Sequence, residues 1–346
     1  TFDAQGRMLV LSGNHLLAFA SVKTTHVETI IAKGLEDPRH IAIGTAGQCF
    51  ISDRGASHQI KIFTPSGKLL KTIGEAGPPA VGDYNPLHLN NPNGLALDSQ
   101  GRVWVAENDN YPRRVSVWSE NKLARAFYGP TEYGGGGALD PRDANVFFYK
   151  GLEFALDWKT GSDSLKRVFA RPDPLLEAHY GHYSPDWPLY PSQGKGRRYF
   201  TSCYTHNPVA GDNAAFLWVD TGKEARLVAA LGDAHAWKSL RERPELRAAW
   251  PAGTKPEEEN PQSDKHATFL WIDLNADGKP QLDELQMTKG EARGITVTRE
   301  LDFIVSRLGK DTTLFSPTRF DANGVPHYDF KPTRLGPAGG NPPSSG

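Results

Sequence analysis

Sulfur is scarce: two cysteines and two methionines in 346 residues. Cys49 and Cys203 sit at or inside predicted strands far apart along the chain. They are expected as buried free thiols rather than a disulfide, and they assign no redox compartment. An excess of charge of one sign is also lacking, since the net charge is -1. A polyanion finds no overall attraction, so nucleic acid is not an expected partner. RNA binding would need a basic face, and Lys195, Arg197 and Arg198 make only a small patch, read as a solvated loop. No apolar run approaches the roughly 20 residues of a membrane span. Neither Met nor a signal-peptide pattern stands at Thr1, which reads as a processed or excised chain. A monomer, or a part of a larger chain, is expected. Missing too are a Gly-x-Ser-x-Gly elbow and a His-Glu-x-x-His helix, and no phosphate-cradling loop is found. The run Gly134 to Gly137 follows Tyr133 without strand-to-helix context and reads as a flexible turn.

Turn formers, by contrast, are abundant, with 35 glycines and 26 prolines. Many short strands joined by many turns give this balance. The segment from Pro38 aligns with the one from Pro92. Pro38-Arg39-His40-Ile41-Ala42-Ile43 falls on Pro92-Asn93-Gly94-Leu95-Ala96-Leu97, Gly47 on Gly101, Phe50 on Trp104 and Asp53 on Glu107. After a slip of one residue, Ile60, Ile62 and Phe63 fall on Val115, Val117 and Trp118. A second pair is sharper: Phe216-Leu217-Trp218-Val219-Asp220 recurs as Phe269-Leu270-Trp271-Ile272-Asp273. Strands are predicted near 39–44, 48–53, 59–64 and 69–73.

A repeat unit of this size has apolar faces that it cannot bury alone, so neighbours must stack. Stacked radially, such sheets make an all-β β-propeller of four-stranded antiparallel blades. Large residues ending the third strand are Phe19, Phe63, Trp118, Trp158, Trp218, Trp271 and Phe315, which counts seven blades. The sixth unit lacks clear first strands, so six is the alternative. Aromatics repeated at one position are inter-blade core rather than a ligand-stacking set. Insertions are expected at about 172–198 and 236–265, the latter opening with a short helix from Ala236. The propeller is read as one domain over 1–335, with 336–346 a flexible Pro/Gly/Ser-rich tail and no strand after Phe330. Phe2-Asp3-Ala4-Gln5-Gly6 matches Leu97-Asp98-Ser99-Gln100-Gly101, so the chain starts at the end of an innermost strand. The rest of that strand must come from elsewhere if a ring is to close without an open edge.

The pattern Pro-x-x-Ile-Ala-x-x-x-x-Gly-x-x-x-x-x-Asp, followed by Gln59-Ile60-Lys61-Ile62-Phe63-x-x-x-Gly67, resembles the NHL repeat, and Pro92 to Lys122 repeats it. These two units carry the resemblance; the others match in strand rhythm only. The resemblance implies a propeller and leaves function open, because NHL-type propellers include protein-binding modules, RNA-binding modules and lyases. The whole chain also resembles NHL-containing proteins of environmental bacteria that are exported, which implies a periplasmic or extracellular location.

The most specific motif is Asp273-Leu274-Asn275-Ala276-Asp277-Gly278-Lys279-Pro280-Gln281-Leu282-Asp283-Glu284. It fits the calcium loop Asp-x-Asn-x-Asp-Gly-x5-Glu. Calcium needs six to eight oxygens. Asp273, Asn275 and Asp277 supply side-chain oxygens, Lys279 a backbone carbonyl and Glu284 two more, with Gly278 at the sharp bend. Phe269 to Ile272 reads as a strand rather than a helix. The loop is therefore expected as a hairpin linker between third and fourth strands, with a calcium ion stapling a blade. A solvated Asn/Asp/Gly turn, like those at Asp157–Gly161 and Asp321–Gly324, is the alternative.

Ligand sites favour the concave mouth where first-strand starts and second-to-third-strand loops converge. The alignment brings Arg39, His40, Asp53, Asn93, Glu107, Tyr204, His206 and Arg307 there as candidates for binding a small molecule, peptide or protein. Arg54, His58, Asn108, Arg113, Arg114 and Asn207 belong to the same face, and the long loop carrying His179 and His182 is expected to fold over it. NHL-type peptidylglycine lyases hold one zinc with three histidines from separate blades, which makes His40 and His206 the best-placed zinc candidates. Pro92-Asn93-Gly94 is similar to the metal-binding Pro-Asn-Gly of gluconolactonase-type propellers. Two functions follow: a binding or scaffold module with a calcium-stapled blade, or a metal-dependent lyase or hydrolase with a central metal.

Overall fold

The structure is a computed structural model that describes residues 1–24, 26–130, 136–171, 183–206, 212–258, 260 and 263–338. The fold class is all-β, of the β-propeller type, built from up-and-down antiparallel sheets. No described helix is long and apolar enough to cross a membrane. The chain divides into two compact units. The first holds Thr1–Ala80 and Tyr84–Thr131, the second Val81–Asp83 and Glu132–Gly346.

In the first unit, Met8–Ser12, His15–Phe19 and Val27–Ile31 form a three-stranded sheet. Pro38–Ile43, Cys49–Asp53, Gln59–Phe63 and Leu69–Ile73 form a four-stranded one, each within a residue or so of its expected bounds. Pro92–Leu97, Val103–Glu107, Arg114–Ser119 and Lys122–Tyr128 form the next. Opposed residues of an antiparallel pair share a face. Cys49 opposite Phe63 therefore packs with Ile51 against Leu9, Leu16 and Ile31 of the first sheet. Ile60 and Ile62, on the other face, pack against Leu95, Val105 and Trp118 of the third. Both faces of the middle strands are buried, which is why these strands read apolar throughout. Gly67 has φ +84 and lies so close to the carbonyl of Ile30 that a Cβ would stand 1.8 Å from its oxygen, so only glycine fits this turn. The turns at Asp3 and Asp98 are copies of each other. Each carboxylate accepts the N–H groups two and four residues on and pairs with an arginine Nε, Arg7 at 2.8 Å and Arg102 at 2.7 Å.

In the second unit, Ala138–Asp140, Asp143–Tyr149, Leu152–Asp157 and Ser162–Val168 form a meander joined at its edge by Gly82–Asp83. A four-stranded sheet takes Ala292–Val297, Phe303–Leu308, Asp311–Phe315 and Thr333–Pro337. Pro317–Phe320 and Pro326–Tyr328 make a two-stranded ribbon. Between the meander and the four-stranded sheet in sequence lies a six-stranded sheet in the order Trp187–Leu189, Tyr199–Thr201, Ala214–Asp220, Ala225–Asp233, Ala267–Ile272, Leu285–Lys289.

That sheet corrects the expectation of uniform four-stranded blades. Phe216–Asp220 and Phe269–Asp273 are not the same strand of successive blades. They flank one strand, Ala225–Asp233, in a single sheet. Their likeness reflects a shared face: Phe216, Phe269 and Trp271 all pack on buried Trp237, at ring-centroid distances of 5.3, 5.2 and 5.4 Å. Trp158 also fails as a blade marker, being 64% exposed beyond its strand. The insertion expected at 172–198 contributes the buried strand Trp187–Leu189, while 172–182 lie outside the described residues. The one at 236–265 opens, as expected, with a short helix, Lys238–Glu242, followed by the 3-10 turn Pro244–Ala249. The chain after Phe330 does form a strand, Thr333–Pro337, held by Arg334 on Asp311 at 2.7 Å. An outermost strand pairs on one side only, so Gly336 and Pro337 are tolerated there.

Candidate functional site

The loop from Asp273 to Glu284 leaves the end of Ala267–Ile272 and returns as Leu285–Lys289, joining the fifth and sixth strands of the six-stranded sheet as a hairpin. Its amides turn its side chains inward. The N–H of Asp277 donates to Asp273 Oδ1 and Asn275 Oδ1, both at 3.0 Å, and that of Lys279 to Asp277 Oδ1 at 2.8 Å. Ala276 and Gly278 have positive φ, 63° and 72°; the bend that glycine takes freely is strained at alanine. Glu284 closes the loop, accepting from the Leu274 amide at 2.8 Å and the Trp271 indole at 2.9 Å. Each carboxylate oxygen has two lone pairs, so these bonds leave coordination capacity. The Pro280 carbonyl is taken by Arg243 at 3.0 Å. Asp273 is fully buried, and its Oδ2 has no hydrogen-bond donor. The nearest cation to that oxygen is Arg226 Nε at 3.4 Å. Burial pushes the Asp273 carboxyl up, against the opposing pull of the loop amides and Arg226.

The candidates of the first unit are built into internal networks. Buried Asp53 accepts from the amides of Glu36 and Asp37 and pairs with Lys61 at 2.7 Å. Buried Glu107 accepts Arg114 Nε, Ser116 Oγ and the Asn90 amide, each at 2.7 Å. Arg114 in turn donates to Tyr84 and to the carbonyls of Pro86 and His88. Asn93 offers its carbonyl to Ser52 Oγ at 2.7 Å. Arg39 pairs with Asp37 at the surface, and His40 is exposed on its strand. Lys61, which neutralises Asp53, was not singled out from the sequence. The signal was a basic residue within the third strand of its unit.

In the second unit, Lys150 follows the second strand of its sheet. It lies 3.5 Å from Asp186, which precedes Trp187–Leu189, and both are buried. Its ammonium sits 5.2 Å from the Tyr204 ring centre. Asp186 also accepts the Cys203 amide at 2.7 Å. Burial outweighs these partners and pushes the Asp186 carboxyl up to about 6. The Cys203 thiol, raised by burial and by Asp186, reaches about 12. Both cysteines are free. His206 is stacked flat on Trp187, and burial lowers its pKa. Tyr204 and His206 thus share one cluster with Lys150, Asp186 and Trp187. Arg307 lies half-buried on Phe303–Leu308, opposite Arg293. His179, His182 and Asn207 lie outside the described residues. A further group not singled out from the sequence is Asp233, His235 and His266, whose ligand atoms lie within 4.8 Å of one another.

The family model of the NHL repeat matches residues 89–117, the three strands that carry the Glu107 network. No curated protein matches the chain. Among solved structures it is similar to the dihydro-heme d1 dehydrogenase NirN, at 10% identity over 97% of this chain and 66% of that one, with a TM-score of 0.27. A gluconolactonase of Xanthomonas campestris matches at 15% identity over 58% and 67%, with a TM-score of 0.29. A nidogen/laminin complex matches at 14% identity over 64% and 79%, with a TM-score of 0.27. Scores this low carry no argument about what this chain does. The chain is an all-β protein of the propeller class, with an NHL repeat matched at 89–117.

Proposed function

We propose that the protein is a β-propeller binding or scaffold module of an exported bacterial protein. One sheet is braced by a calcium ion at Asp273, Asn275, Asp277, the Lys279 carbonyl and Glu284. The observation that carries the calcium brace is the fully buried Asp273, whose Oδ2 lacks a donor at the start of a loop already folded inward. A buried carboxylate oxygen without a donor is costly, and a hard cation is the partner such an oxygen-rich ring suits. Extracellular modules bind calcium at the concentrations found outside cells, which fits an exported chain. The ligand, a small molecule, peptide or protein, would meet Tyr204, His206 and Trp187 at the strand ends of the second unit. The test is thermal melting of the wild type and Asp277→Ala in calcium and in excess chelator. The wild type should lose stability when calcium is removed, by about 2.7 kcal/mol from a hundredfold excess over Kd. Asp277→Ala should melt lower than wild type in calcium and level with it in chelator. Equal loss in both conditions overturns the calcium brace.

A metal-dependent lyase or hydrolase, peptidylglycine-lyase-like or lactonase-like, is the alternative. What favours it is Asp186, whose carboxyl at about 6 beside Lys150 suits proton transfer near neutral pH. A panel of lactones and peptidyl hydroxyglycines, run with and without chelator, tests it. Turnover lost in Asp186→Asn supports the enzyme, and no turnover overturns it.

A further inference from the structure

We propose that Asp233, His235 and His266 form a second cation site, for a divalent transition metal of the zinc type, independent of the calcium loop. It would tie the insertion after Asp233 onto the six-stranded sheet. Asp233 ends the strand Ala225–Asp233, His235 lies in the short turn after it, and His266 immediately precedes Ala267–Ile272. The sheet itself therefore brings the three together. Asp233 Oδ1 faces His235 Nδ1 at 2.9 Å, and Oδ2 faces His266 Nδ1 at 2.6 Å. The far nitrogens are also engaged. His235 Nε2 meets the Lys255 carbonyl at 2.7 Å, and His266 Nε2 meets the Asn260 carbonyl at 2.9 Å.

Every one of these four partners is an acceptor. A neutral imidazole carries one N–H, so two neutral rings can serve only two of them. A backbone carbonyl can only accept, so the arrangement that satisfies both carbonyls places the N–H of each ring on Nε2. Both Nδ1 lone pairs then point at the oxygens of one carboxylate, and lone pair against lone pair is repulsive. Two positive charges are needed in the gap. One way is a second proton on each ring, which sets two imidazolium ions side by side with centroids 4.3 Å apart in a largely buried place. Like charges that close repel strongly away from water. A single divalent ion supplies the same charge without that repulsion, and leaves Nε2–H on the carbonyls. That is the usual outer arrangement of metal-bound histidine, in which the far N–H is held by a carboxylate or backbone carbonyl. Two imidazoles and one carboxylate suit zinc, whereas calcium wants six to eight oxygens.

The site would be structural in effect. The Lys255 and Asn260 carbonyls belong to the insertion, and Trp250 sets its ring edge-on to His235 at 5.1 Å. Holding both histidines holds this segment against the sheet.

The test uses the full chain, stripped with chelator and returned to calcium-containing buffer. Titration with zinc against a chromophoric chelator should find one strongly bound ion per chain. Cobalt(II) in its place should give visible d–d bands. Both signals should be lost in His266→Gln and in His235→Gln and kept in Asp277→Ala, which alters only the calcium loop. Zinc should also slow proteolysis within 251–258. No zinc uptake and no cobalt bands in the wild type would overturn the site, as would undiminished binding in both histidine variants. Nitrogen NMR showing both rings doubly protonated in zinc-saturated protein would overturn it too. If one histidine variant fails to fold, the wild-type cobalt spectrum and the other variant still decide.

Discussion

Glu107 in the first unit and Asp233 in the second are both buried carboxylates at the end of a strand, and their surroundings differ in kind. Glu107 is met by a guanidinium, a hydroxyl and an amide, all donors, and Arg114 is itself satisfied by Tyr84 and two carbonyls. Asp233 is met by the His235 amide and by two imidazoles whose other nitrogens already face acceptors. The first network closes with the protein's own cation; the second is short of positive charge. A buried acid that brings its own arginine is part of the scaffold. One that lacks its cation points to something the protein takes up from solution.

The comparison breaks first, and most visibly, at Glu107. Glu107→Ala strands a fully buried guanidinium and should cost about 3–5 kcal/mol in urea denaturation. A loss below about 1 kcal/mol would mean that the first network is not the closed scaffold described. Next in size is the pH response of Asp186. Its carboxyl is pushed up to about 6 in the folded protein from 3.8 in the unfolded chain. Between those values the folded state holds a proton that the unfolded state has released. The contribution of Asp186 to stability is therefore greatest below about pH 4 and falls as pH rises from about 4 to about 6, by about 3 kcal/mol in all. Asp186→Asn should flatten that slope in denaturation curves taken across the range; an unchanged slope would detach it from Asp186. Smallest is Arg39→Ala. Its partner Asp37 is as exposed as Arg39 itself, so the change should stay under about 0.5 kcal/mol by thermal melting. A larger loss would show that Arg39 does more than decorate the surface.

The first unit was legible because its middle strands are buried on both faces and its turns are fixed by glycine. Position along the repeat and burial then coincide, as at Ile60, Ile62 and Gly67. The six-stranded sheet was not. Phe216 and Phe269 look like equivalent positions of two blades, yet they resemble each other because both pack on Trp237. A sequence reports the environment of a residue and leaves open which strand pairs with which. The strand Thr333–Pro337 was hidden by glycine and prolines that an outer strand tolerates. In the candidate sites, contiguity decided what was visible. The Asp273–Glu284 ring lies in one stretch and could be read off directly. Asp233 and His235 stand two apart, but His266 comes to them only through the pairing of Ala225–Asp233 with Ala267–Ile272.

That same pairing sets the tempo of assembly. Ala214–Asp220 and Ala225–Asp233 are joined by a tight turn and can zip as a local hairpin within microseconds. Ala267–Ile272 must wait until residues 234–266 have been looped back, and the entropy of closing that loop comes before any of its contacts form. Until then the outer edge of Ala225–Asp233, a run of buried apolar residues, stands open to pairing with another chain. Shortening the insertion while keeping its anchors should speed this step, and a dilute refolding medium should protect it.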